Sequence, residues 1–418
     1  MSFWKKYVPA IAIGVCTVLL SVLVCTIAEG RSVHNELTSF IALADQARQT
    51  SSLPNTAFYP PFVIFLIMGL KGVGLKTVNP WVFNGFFFLA GTLLLYGFCL
   101  KLFSRRASLL VVAFALLNPL LAWYAMTSKD TAVEYLFSIL QMFSLFLFIQ
   151  ESERTKSKWL LVIFVVSSCC SFLTRITGVF TMAALVVMAF LLVKEREKKK
   201  LMAIAAAACV SGVLLFMGYN KFTVGQFTLA TNGGYNLYLG NHPLYIQGHP
   251  HYDIDVFMHD PLDTCGSADA STRSEMSSDA CYRQQGIRFI RADPKGFVYR
   301  LLVKTVWHWF NLEKIPNFTQ SATLTSADTI TFGPVSLAYG LVYMAYKIIY
   351  LPLLMLGLYG LWRGDIEKKY GLFLAPLLGL WPVVVLTFPD TRFKVVAEIL
   401  AIPFLWVSFQ RMGKRRVD

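Results

Sequence analysis

The sequence predicts an all-α, polytopic membrane protein, a bundle of about ten transmembrane helices with a small mixed domain on one side. Three observations predict it. Hydrophobic residues make up 56% of the chain and charged residues 15%, well below the usual quarter, so a soluble body could not hide the apolar surface. Apolar runs of about 18 residues or more recur, each long enough to cross a roughly 30 Å hydrocarbon core as a helix. Backbone groups in lipid must be satisfied within their own segment, so these runs are helices, and the two-residue alternation of a membrane barrel is absent. The cations cluster in short links between the runs, at Lys5 and Lys6, Arg105 and Arg106, Lys156 and Lys158, Lys194 to Lys200, Lys368 and Lys369, and Arg411 to Arg416. That is the positive-inside pattern, and it places those links in the cytoplasm. In this arrangement the net charge of +14 is a signal of topology and argues against nucleic-acid binding.

Taken in order, residues 1–7 are a basic stub and 8–28 the first crossing. That run is long and lacks a small-residue cleavage site, so it is expected to stay as an anchor. Residues 29–60 are a short polar stretch outside. Within it, 35–48 is expected to form a helix lying flat on the membrane, with Leu37, Phe40, Ile41 and Ala44 on one face. Residues 60–75 are apolar but short, which suits a juxtamembrane or re-entrant helix with Pro61 near its start. Further crossings are expected at 80–103, 107–124, 131–150, 158–173, 177–193 and 201–219. Residues 220–333 are the one extended polar region and read as a small external domain, with an amphipathic helix over 286–311. It separates an N-terminal membrane module, 1–219, from C-terminal helices in 334–418 that cross at 335–361, 371–388 and 395–410. Both ends then lie in the cytoplasm.

Six cysteines fall in apolar runs, where a free thiol behaves as a small hydrophobe. Cys265 and Cys281 are alone in the long polar region and are expected to pair if it lies outside the cytoplasm. Two cysteines do not make a structural zinc site. His242, His249, His251, Asp253 and Asp255 crowd together, but His-Pro-His lacks regular ligand spacing, and no metal is expected. Asn317-Phe318-Thr319 matches a glycosylation sequon, which matters only in a eukaryotic secretory setting.

The candidate chemistry gathers on the side opposite the basic links. Glu36, Asp45, Asp130, Arg175 and Arg392 all fall there by the charge rule, and charges near a bilayer usually face a cavity or a partner. Transfer of a group to a hydroxyl needs a carboxylate within hydrogen-bond reach, and Glu36 is the leading choice for that base. Glu36 and Asp45 could instead merely solvate a surface helix, and Asp130 could serve a helix N-terminus, with Thr131 and Glu134 following. Arg175 interrupts an apolar stretch, as an interface anchor or as a cation facing a ligand. Arg392 opens the last crossing with Lys394, and its forked guanidinium suits a phosphate. Glu398 stands one turn beyond Lys394, at the spacing of an i,i+4 pair.

In this order the pieces resemble the GT-C superfamily of membrane glycosyltransferases, in particular the bacterial branch related to aminoarabinose transferase and the protein O-mannosyltransferases. The resemblance covers nearly the whole chain. It rests on Asn35-Glu36, Phe40, Ala44 and Tyr59-Pro60-Pro61 in the first loop, and on Asp130 after the third crossing. It rests also on the turn Leu173-Thr174-Arg175, the stretch TNGGYNLYLGNHP over 231–243, and Arg392-Phe393 at the last crossing. It implies a GT-C-like bundle and inverting transfer of a sugar from a polyprenyl-phosphate donor to a hydroxyl of an envelope glycan or lipid, of the lipopolysaccharide or O-antigen class. The site would face the periplasm from a bacterial inner membrane. The acid of the first loop, Glu36 or Asp45, would deprotonate the acceptor, with Asp130 beside it. Arg392, Arg175 and Lys394 would hold the donor phosphate, and Tyr59, Asn232, Asn236, Tyr238 and Asn241 would line the substrate loop. The lipid phosphate is already a good leaving group, so the resemblance calls for no metal or other cofactor. At one key position the family usually carries Asp and this chain carries Asn35, which cannot act as base. Either Glu36 or Asp45 takes over, or the protein keeps the fold without catalysis. A transporter or flippase is the remaining alternative, although transporters place charges and broken helices near the midplane.

Overall fold

The structure, a computed structural model, describes residues 3–29, 36–50, 59–243, 265, 275–310, 334–387 and 391–414. Asn35, His249, His251, Asp253, Asp255 and Asn317 lie outside the described residues. No strand occurs among the described residues. The helices are α1 (Phe3–Glu29), α2 (Leu37–Gln49), α3 (Phe62–Gly72), α4 (Pro80–Leu102), α5 (Arg105–Leu116) and α6 (Pro119–Thr127). There follow α7 (Thr131–Gln150), α8 (Arg154–Thr174), α9 (Gly178–Leu192), α10 (Arg196–Val224) and α11 (Gly233–Asn241). The last are α12 (Glu275–Ala292), α13 (Pro294–Phe310), α14 (Pro334–Arg363), α15 (Ala375–Leu386), which follows a 3-10 segment at Lys368–Leu374, and α16 (Thr391–Lys414).

Seven of these helices are long and apolar enough to cross a membrane, or eight with α5 and α6 counted as one broken span, among the described residues. The sequence expects about ten. α9 has only 15 residues. α16 has 24, with Arg392, Lys394 and Glu398 in its first turns. The run expected at 107–124 bends by 64° between α5 and α6. Pro119 lacks an N–H and forces Asn118 into an extended conformation (φ −73°, ψ 105°). Asn118 then caps the new helix, accepting from Leu120 N at 3.0 Å and Leu121 N at 3.3 Å. Asn79 before Pro80 caps α4 in the same way.

Short links join α4 to α5, α7 to α8, α9 to α10 and α14 to the 3-10 segment, so the basic residues of those links share one end of the bundle. The opposite end carries α2, α11 and α12. One core runs through the bundle, and a smaller one joins Leu37, Phe40 and Ala44 of α2 to Val63, Ile64 and Ile67 of α3, with Phe83 and Val133. The apolar face expected on α2 is therefore buried against α3. Deep between α14 and α16, Lys347 pairs with Glu398, both buried. Glu398 thus pairs across helices and not with Lys394 along its own.

Candidate active site

The polar groups meet at the end opposite the basic links. The backbone N–H of Glu36 donates to Thr127 O at 3.0 Å, which ties the start of α2 to the last turn of α6. Asn84, buried in α4, donates from Nδ2 to Met126 O and Ser128 O, both at 2.9 Å. These bonds satisfy carbonyls that the end of α6 would otherwise strand and hold the turn at 128–130. Ser128 Oγ donates to Asp130 Oδ1 at 3.0 Å. Asp130 occupies the N-cap position of α7 but makes no side-chain cap bond.

Its carboxylate faces Arg175 instead. Arg175 ends α8 in extended backbone (φ −148°, ψ 124°), and its side chain is enclosed in the bundle. Nε donates to Asp130 Oδ2 at 3.1 Å, and Nη2 donates to Asp130 Oδ1 and to Thr131 Oγ1, the latter at 3.0 Å. Nη1 lies 2.5 Å from Glu134 Oε2 and donates to the backbone oxygen of Arg392 at 2.8 Å. One planar fork so joins two acids on α7 to the head of α16. Burial by itself would raise the Asp130 carboxyl; the Arg175 guanidinium, with Lys129 and Arg392 beyond it, outweighs burial and holds it below its ordinary value. Burial would lower Arg175, and Asp130 and Glu134 together raise it.

In front of this knot Arg392 Nη1 donates to Glu36 Oε1 at 3.0 Å, the two side chains 33% and 42% exposed. The other oxygen, Glu36 Oε2, is enclosed and has no hydrogen-bond partner among the described residues. Lys129 completes the site. Its Nζ sits 4.1 Å from the centre of the Tyr59 ring and 5.6 Å from that of Phe40. Burial brings its ammonium below the ordinary lysine value against the pull of Asp130 and Glu36. Burial likewise raises the Tyr59 phenol, helped by the charges of Glu36 and Glu275. Glu275, at the start of α12, accepts from Thr231 Oγ1 at 2.9 Å, so the far part of the chain also borders the site.

Glu36, Tyr59, Asp130, Arg175 and Arg392 thus come together, and Asp45 lies elsewhere. Asp45 pairs with Lys71 of α3. It stands nine residues beyond Glu36, roughly 13 Å along α2 at 1.5 Å per residue. Lys394 is buried one turn into α16, close enough for its charge to be felt at His308 of α13. The stretch expected as a substrate loop is a helix, α11, because its glycines serve close packing. A Cβ on Gly234 would meet Asp279 O of α12 at 2.0 Å, and one on Gly240 would meet Thr387 O at 1.3 Å. Tyr238 is fully buried against Tyr282, Phe289 and His242. Asn241 Nδ2 donates to Leu386 O at 3.1 Å, capping α15. Asn232 and Asn236 sit at the N-cap and in the first turn of α11, joined by the bond from Asn236 N to Asn232 O at 3.0 Å. Cys265 and Cys281 form a disulfide with Cα atoms 5.8 Å apart, anchoring the chain to α12.

Sequence reasoning gave no role to Lys129, Asn84 or Glu275 and treated Glu134 only as a first-turn acid. Lys129 adjoins Asp130 and could have been found there. A lone Asn in an apolar run was a signal for Asn84, since a buried amide needs partners. Glu275 carried no local signal.

These features define an all-α, polytopic fold in a multi-pass membrane protein. The chain is similar in fold to the crystal structure of the Archaeoglobus fulgidus oligosaccharyltransferase in its apo form, with a TM-score of 0.54 and 12% identity. The similarity covers 100% of this chain and 52% of that one, so this chain spans about half the length of the archaeal protein. No protein-family model matches the chain. No curated protein matches it in sequence.

Proposed function

We propose that this protein is an inverting glycosyltransferase that moves a sugar from a polyprenyl-phosphate donor to a hydroxyl of an envelope glycan or lipid. The observation that carries this reading is the Glu36 carboxylate, with one oxygen held by Arg392 and the other enclosed and unpartnered among the described residues. An orphaned buried acceptor beside two cations is where a donated hydroxyl belongs. Glu36 Oε2 takes the proton of the acceptor hydroxyl, and the oxygen attacks the anomeric carbon from the face opposite the phosphate. The bond from that carbon to the phosphate oxygen breaks, its electron pair leaves with the lipid phosphate, and the configuration inverts. Arg392 and Lys129 stabilise the charge that develops on the phosphate. Arg175, enclosed by Asp130, Glu134 and Thr131, positions Arg392 and is not itself a phosphate contact. The fold similarity to an oligosaccharyltransferase supports sugar transfer in general. The donor lipid, an acceptor of the lipopolysaccharide or O-antigen class, and a periplasmic site in a bacterial inner membrane rest on the motif order and on the charge bias of the links.

Mass spectrometry of envelope glycans tests the reading. Cells making the chain should carry a sugar that is missing from cells lacking it and from cells making Glu36→Gln. Identical glycans in all three would overturn it.

A further inference from the structure

We propose that the corner between α12 and α13 is a docking surface for anionic phospholipid of the surrounding bilayer. The phosphates lie on Arg288, Arg291 and Lys295, and the acyl chains lie along Val298, Leu302 and Val306. This goes beyond the transfer reaction and does not depend on it.

Two contacts fix the depth of α13. Lys304 Nζ donates to Val385 O at 3.1 Å and to Thr387 O at 2.7 Å, at the end of the candidate span Lys368–Leu386. One turn further on, His308 Nε2 is hydrogen-bonded to Leu377 O at 3.2 Å. Leu377 lies nine residues before Leu386, roughly 13 Å along the helix axis and so close to half the depth of a bilayer core of about 30 Å. The second half of α13 therefore runs alongside α15 at membrane depth, although the chain around it is polar.

Its other face fits that depth. Val298, Leu302 and Val306 recur every fourth residue on one stripe and are 55%, 62% and 54% exposed, with Tyr299 beside them at 58%. An apolar stripe continuous with the lipid-facing surface of a spanning helix is covered by the same lipid, and a tyrosine at its upper edge suits the interface. Above the stripe, Arg288 and Arg291 share a face of α12, and both are exposed, as is Lys295 at the start of α13. The nearby acid, Asp293, is engaged by Arg300 at 3.3 Å and by Gly296 N at 2.8 Å. The corner is thus basic where headgroups lie and apolar where chains lie, the complement of an anionic lipid. Because Lys304 holds the last carbonyls of α15, which precede the helix of Arg392, bound lipid also steadies the approach to the candidate site.

The full chain in nanodiscs of phosphatidylcholine, with or without phosphatidylglycerol, tests this. Bound phosphatidylglycerol is counted by native mass spectrometry for the wild type and for the surface variant Arg288→Gln/Arg291→Gln/Lys295→Gln. Each cation removed should weaken phosphatidylglycerol binding about fivefold and leave phosphatidylcholine binding unchanged. Independently, a photo-crosslinking benzoylphenylalanine placed at position 302 or 306 should capture lipid. Equal phosphatidylglycerol binding by the variant and the wild type, or crosslinks to protein in place of lipid, would overturn the proposal.

Discussion

Arg392, at the head of the last helix, donates to the carboxylate of Glu36, at the foot of the second, over 3.0 Å and across 356 positions of sequence. Everything that fixes this pair lies behind it. Thr127 holds the backbone of Glu36, and Arg175 holds the backbone of Arg392. Both anchors depend on the turn at 128–130.

Arg175 is therefore expected to matter first for stability. Removing one member of a buried ion pair leaves an uncompensated charge and costs about 3–5 kcal/mol. Arg175→Ala should lower the thermal midpoint in detergent by many degrees. Arg175→Ala/Asp130→Ala should be less destabilised than the sum of the two single variants, and a double-mutant cycle of melting curves checks it.

Acid should weaken the same knot. Asp130 is held below its ordinary carboxyl value, so its contribution is complete above the unfolded value of about 4 and is lost as the pH falls through the lower folded value. The wild type should melt progressively earlier as the pH falls below about 4. In Asp130→Asn, which is less stable throughout, that part of the dependence should vanish.

Gly240 is expected to tolerate no side chain. A Cβ there would meet Thr387 O at 1.3 Å, a backbone atom that cannot swing aside. Gly240→Ala should separate α11 from the end of α15 and cost about 1–3 kcal/mol, the usual range for overpacking. Activity should fall with it, because the helix of Arg392 begins just beyond. Thermal melts paired with glycan analysis read both effects.

The disulfide should stabilise locally. Closing a loop of about this size contributes roughly 3 kcal/mol in the chain-entropy account. Cys281→Ser should free Cys265 from α12 and weaken α12 by about that much, read as faster amide hydrogen exchange in Glu275–Ala292.

Much of this architecture could be read from the chain because its signals are local. Apolar runs give spans, Asn-Pro gives the starts of α4 and α6, and the charge of the links separates the two ends. Glu36, Asp130, Arg175 and Arg392 were legible for the same reason, as charges that apolar surroundings make costly. What was not legible is which charge meets which. Asp45 and Glu36 look alike in sequence, yet only Glu36 reaches Arg392. Glu398 has Lys394 at the right helical spacing but pairs with Lys347 across helices. The asparagine- and glycine-rich stretch at 231–243 looked like a substrate loop because small and polar residues serve turns as well as close helix contacts. Only the partners, Asp279 and Thr387, tell the two apart.

The two carboxylates of α2 allow the most direct test. Sugar transfer should be measured in membranes containing Glu36→Gln or Asp45→Asn, each confirmed as folded by its melting curve. Glu36→Gln should lose about 10²–10⁴ of the rate, the usual contribution of a general base, while Asp45→Asn stays within a few-fold of the wild type. Full activity in Glu36→Gln, or an equal loss in Asp45→Asn, would contradict the central claim.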